Sequence, residues 1–250
     1  EAGYTGQNGF TIAIGNQAGY DRQNTNSIAI GQSAGRDRQN MNSIAIGQSA
    51  GRDKQNIKSI AIGYQAGFQD QSGNSIAMGE NAGQNLQDTD SIAIGTAAGR
   101  DNQSFDNIAI GNAAAVTNQA TGSIAIGRSA GRNLQGQTGS FQTRAIAIGH
   151  QAGFTNQNGQ TIAIGSDAGY TGQQSNGISI GNTAGFITQN FNAIAIGASG
   201  GYSNQGADGI AIGQQAGKFD QNINCIAIGE KAGAKQQGLV GGKGHSIAIG

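Results

Sequence analysis

Residues 27–42 read Ser-Ile-Ala-Ile-Gly-Gln-Ser-Ala-Gly-Arg-Asp-Arg-Gln-Asn-Met-Asn, and residues 43–58 begin the same string again as Ser-Ile-Ala-Ile-Gly-Gln-Ser-Ala-Gly-Arg-Asp-Lys-Gln-Asn-Ile-Lys. This unit governs the chain. Its Ile-Ala-Ile-Gly motif starts at residues 12, 28, 44, 60, 76, 92, 108, 124, 146, 162, 178, 194, 210, 226 and 247, with Met78 and Ser179 as the only variants. Twelve of the fourteen steps are 16 residues; the other two are 22 and 21. A repeat this regular is read before any local feature.

Taking the first Ile as position 0, Gly stands at +3 in all fifteen motifs and Gln at +11 throughout, from Gln7 and Gln23 to Gln221 and Gln237. Positions +6 and +7 read Ala-Gly almost everywhere, with Gly200 and Ala115 as exceptions. A helix carrying Gly at both +3 and +7 would lose about 1 kcal/mol at each relative to Ala. The motif instead alternates with period two, is β-branched where it is apolar and stops at Gly, which marks a short strand. Sixteen residues are too few for a strand–helix–strand unit but suit one coil with two short strands and two tight corners. The expected fold is therefore all-β, a parallel β-solenoid or β-roll with one 16-residue coil per repeat, like residues stacking at the ~4.8 Å strand spacing. The absence of Pro agrees, since Pro would remove a ladder donor.

Hydrophobicity places the Ile columns at 0 and +2 inward as the core and Ala at +1 outward. Nothing in one coil requires so small an outer residue, so the Ala column, including Ala93 and Ala109, is expected to pack against another chain. Gly at +3 and +7 marks corners with positive φ or close backbone approach. Ala115 at +7 implies that one such corner does without positive φ. Buried Gln at +11 is expected to form an amide ladder along the stack. Position +8 holds Tyr4, Tyr20, Phe68, Phe154, Tyr170, Phe186 and Tyr202, and in five other coils Arg36, Arg52, Arg100, Arg132 or Lys218. This column reads as a half-exposed stripe with stacking between coils; it is either a solvated edge of snorkelling side chains or the contact surface a glycan or protein would meet. Insertions at 136–145 and 238–246 fall at one corner and should bulge without disturbing the stack; Phe141 and Arg144 are the conspicuous loop residues. The chain is treated as a single repeat domain, 1–250, of about 15 coils, and as part of something longer.

Composition narrows the function. Fourteen cationic and fourteen anionic side chains cancel, so no net charge favours nucleic acid. No apolar run reaches the length of a membrane span. The single cysteine, Cys225, precludes an intrachain disulfide and reads as a small structural residue in a slot usually held by Ser. His150 and His245 lie about six coils apart, and no acid pair or nucleophile constellation recurs. Asp21, Asp37 and Asp53 stack, but beside Arg22, Arg38 and Lys54, which favours ion pairing over metal. No catalytic, cofactor or metal-binding residues are assigned, and no enzyme is expected.

Ser-Ile-Ala-Ile-Gly at 27–31, 43–47, 59–63 and 91–95 resembles the Ser-Val-Ala-Ile-Gly repeat in the heads of YadA-like trimeric autotransporter adhesins. Similar arrays occur in fibre proteins of phages and large DNA viruses. The resemblance implies a left-handed roll, a trimer and binding to host surfaces. It covers the strand motif of every coil, but not the recurring Ala-Gly or the fixed Gln. The expected function is a structural repeat rod of an extracellular, cell-surface or virion-surface fibre, assembling as a homo-oligomer through a small-residue face. The alternative is a solenoid that binds carbohydrate, a host protein or another surface. Ice binding is disfavoured because it would want a regular outward Thr array and the outer positions are irregular.

Overall fold

A computed structural model describes residues 1–138, 141–142, 144–238 and 244–250. It is an all-β parallel solenoid of 16-residue coils, in two compact units, 1–122 and 123–250. Unit 1 stacks seven Ile strands, from Ile12–Ile14 to Ile108–Ile110, and unit 2 stacks eight, from Ile124–Ile126 to Ile247–Ile249. Equivalent residues stack directly: Ile92, Ala93 and Ile94 pair with Ile108, Ala109 and Ile110. On the Gln side a second parallel strand closes the nine coils from Gln69–Gln71 to Ser203–Gln205, as in Asp101–Gln103, which pairs with Thr117–Gln119, and single bridges at Gln7, Gln23, Gln39, Gln55, Gln221 and Gln237 do so nearer the ends.

The strand faces the opposite way from the hydrophobic expectation. Ala29, Ala45, Ala61, Ala77, Ala93 and Ala109 are wholly buried inside their own coils. Ile94, Ile126 and Ile164 at +2 are each 36% exposed, and the Ile residues at 0 are half-buried between strands. The interior holds Ala at +1 and +6, Gln at +11, and a small residue such as Ser27, Ser43 or Ser91 before the motif. Volume explains the reversal. The opposite strand already sends a full Gln side chain inward, and a close-packed interior leaves room only for a small side chain facing it, Ala or, at 179, Ser, whose hydroxyl donates to Gln189 Oε1 at 2.8 Å. The Ala column is thus buried by its own coil and is not an assembly face. The outer surface, expected to be irregular, carries two regular Ile columns.

Two corner positions explain their glycines. Gly95 at +3 has φ +122, and a Cβ there would meet the backbone C and O of Gly111 at 2.8 Å. Gly99 at +7 has φ +51, and its Cβ would lie 2.7 Å from the Gln103 amide oxygen. Ala115 takes the same conformation, φ 45, so that corner does demand positive φ and Ala adopts it under strain.

The insertions leave the stacking intact. Across 136–145, Ile124 pairs with Ile146 and Gln135 sits one coil from Gln157 in register. Gln137–Thr138 and Phe141–Gln142 form a small antiparallel pair there. Across 238–246, Ile226 pairs with Ile247. The side chain of Phe141 lies outside the described residues, as do residues 239–243; Arg144 is exposed.

Candidate interaction surfaces

The buried amide ladder is internal and structural. Gln103 Nε2 donates to the Ile92 carbonyl at 3.0 Å and to Gln119 Oε1 at 3.2 Å. In unit 2, Gln173 Nε2 donates to the Ile162 carbonyl at 3.0 Å, the Gly177 carbonyl at 2.9 Å and Gln189 Oε1 at 3.0 Å. These amides tie the two strands of their coil together and reach the next coil, while the ladder is interrupted at Gln39, Gln103 and Gln157, whose buried Oε1 atoms have no partner among the described residues. Being fully buried, the ladder offers nothing to a ligand. Cys225 occupies the Ser slot, wholly buried, and accepts a hydrogen bond from Ser246 Oγ at 3.3 Å.

Three features do face outward. The first is the Ile face of each unit. At ~4.8 Å per step, the seven strands of unit 1 present a strip roughly 29 Å long. The second is the +8 column. Phe154, Tyr170, Phe186 and Tyr202 stack face to face with centroids 4.9, 4.9 and 5.1 Å apart. Arg132 lies over Phe154 at 5.6 Å, and Lys218 lies 6.0 Å from the Tyr202 ring. Tyr4 stacks on Tyr20 at 5.0 Å, and Arg52 covers Phe68 at 4.9 Å. The rings spend their faces on one another, leaving mainly edges for any sugar.

The third feature is charge. Residues 20–58 hold six Lys and Arg against three Asp, whereas residues 59–122 hold one Arg against six Asp and Glu. The ion pairs form, though with partners other than those expected. Asp37 takes Arg36 at 2.8 Å and Asp53 takes Arg52 at 3.3 Å, while Lys54 reaches Asp70 at 3.6 Å. Only Asp21 pairs with its expected partner, Arg22, at 3.5 Å. The hydrogen bond to Asp37 holds the Arg36 guanidinium above its ordinary pKa. Burial is the main cause that raises Asp53, with Asp37 adding to it, and burial raises Asp88.

His150 meets the Arg128 guanidinium through Nε2 at 2.6 Å and lies 3.9 Å from Asp167. His245 is exposed in the last described segment. Among the described residues no three His, Cys, Asp or Glu side chains are grouped to hold a metal, and no helix is long and apolar enough to cross a membrane. No family model, curated protein or solved structure matches the chain. The strand motif therefore stands as a resemblance in coil type, carried by the repeat alone. The inward Gln and outward Ile had a sequence signal: positions −1 and +1 share a face, and both are small in coil after coil.

Proposed function

We propose that this chain is a structural, non-enzymatic repeat segment of an extracellular, cell-surface or virion-surface fibre, and that its copies join through the Ile face. The exposed double column of Ile carries this reading. Parallel sheets are normally covered on both faces, and contiguous exposed apolar strips mark contact sites. Here one face is covered by the coil's own interior and the other is left to water. A second copy presents the same columns at the same spacing, so the two sets of Ile side chains interdigitate without any other specificity element. Three chains about one axis is the arrangement the adhesin-head resemblance implies. The repeating positions support a scaffold role, because stacking accounts for the recurring Gly, Ala and Gln without a reaction centre.

Sedimentation of the full chain tests this. The expected mass is a multiple of the 25.1 kDa chain, three chains in the preferred arrangement. Ile46→Lys with Ile62→Lys should reduce it to a single folded chain with an unchanged β-type circular dichroism spectrum. A wild-type chain that sediments as a monomer, or a double variant that assembles normally, overturns the proposal.

A further inference from the structure

Beyond the scaffold role, the coils around residues 17–38 form an open, charged depression of about 550 Å³, lined by Tyr20, Asp21, Arg22, Arg36, Asp37 and Arg38 together with Gln17. That volume lies within the range of small-molecule sites. Its charges are unequally committed. Arg36 is held by Asp37 through Nε at 2.8 Å and Nη2 at 3.4 Å. Arg22 reaches Asp21 only at 3.5 Å, with 62% of its side chain exposed. Arg38 is exposed and has no carboxylate within ion-pair distance among the described residues. Two guanidinium groups are thus available on adjacent coils, with the Asp21 and Asp37 carboxylates and a half-buried tyrosine ring in the same lining.

We infer that this depression binds an acidic saccharide, a sugar carrying sulfate or carboxylate groups. Arg22 and Arg38 present planar forks that match such anions two hydrogen bonds at a time. The Asp21 and Asp37 carboxylates accept from sugar hydroxyls, a role that neutral and anionic groups on one ligand require together. Tyr20 supplies an apolar wall; its other side is already stacked on Tyr4. Nucleic acid fits less well. The Asp21 and Asp37 carboxylates repel a continuous phosphate backbone, and the stacked ring leaves no pair of aromatic faces for bases.

Titration calorimetry of the full chain with a sulfated, uronate-containing disaccharide is the test, with maltose as the neutral match and a short single-stranded DNA as the alternative polyanion. The acidic disaccharide should bind and weaken as salt rises, and maltose should not bind. Arg22→Gln with Arg38→Gln should cost at least about tenfold in affinity, while Arg132→Gln leaves it unchanged. Arg38→Lys, which keeps the charge, should bind better than Arg38→Gln. Failure of the wild type to bind, equal binding of maltose or of the DNA, or an undiminished double variant overturns the inference. None of these outcomes bears on self-association through the Ile face, which is read by mass.

Discussion

Within a single coil, the strands Ile92–Ile94 and Asp101–Gln103 are built in opposite ways. The first keeps its large apolar residues outside and sends in only the Ala93 methyl group. The second keeps polar residues outside and sends in the whole Gln103 side chain. They are complementary halves of one cross-section. One supplies almost no volume and the carbonyl of Ile92; the other fills the space and donates to that carbonyl. The buried Gln103 nitrogen is tolerated because the repeat fixes its two acceptors, whereas its Oε1 stays unpartnered among the described residues. This thin solenoid selects its interior by volume and hydrogen bonding first and by hydrophobicity second.

Breaking the polar half should have the largest effect. Gln103→Leu removes the amide that donates to the Ile92 carbonyl and to Gln119 Oε1, which should cost about 3 kcal/mol in denaturant unfolding. If Gln103→Leu is neutral, the ladder is filling space only. Overfilling the other half comes next. Ala93→Leu has no cavity to enter, and about 2–3 kcal/mol of destabilisation is expected. An unchanged melting midpoint would mean the interior has slack. Changing the outer face should matter far less to a single chain. On the Ile46→Lys/Ile62→Lys background, Ile94→Thr should shift unfolding by under about 1 kcal/mol, and a loss comparable to that of Ala93→Leu would return Ile94 to the core.

The smallest effect tests the polar rim beside the Gln. Burial raises the folded-state pKa of Asp88 above its unfolded value, so folding favours the protonated form and ionisation costs stability at neutral pH. That cost fades as pH falls through the raised value. Asp88→Asn restores the residue found at 24, 40 and 56. It should raise the melting midpoint slightly at pH 7, and the gain should vanish at acidic pH. A gain that persists in acid would assign the benefit to hydrogen bonding instead of charge.

The period, the strand positions, the residue-on-residue register, the Gln ladder and the stacked +8 rings could all be read from the repeat, because each follows from spacing. The direction of the strand could not be read from Ile and Ala alone. Alternation defines two faces without saying which is inside, and hydrophobicity picked Ile. The deciding information sat elsewhere in the coil, in the fixed Gln at +11 and the small residue at −1, which leave space only for a residue as small as Ala93 or Ser179. The ion-pair partners were missed for a different reason. Sequence adjacency offered Asp37 two arginines, and only the corner geometry selects Arg36 over Arg38. The depression at Tyr20 and Arg38 needs two coils in three dimensions, and no single repeat displays it.

The hydrogen bonds between successive coils, such as Gly99 N to the Ala114 carbonyl and Gln103 to Gln119, run along the stacking direction. Tension along that direction therefore loads all the bonds of one joint at once, side by side, while the joints follow one another in series. The force a unit withstands is set by its weakest joint and not by how many coils it contains. Added coils make the stack longer and more compliant without making it easier to break at any one joint.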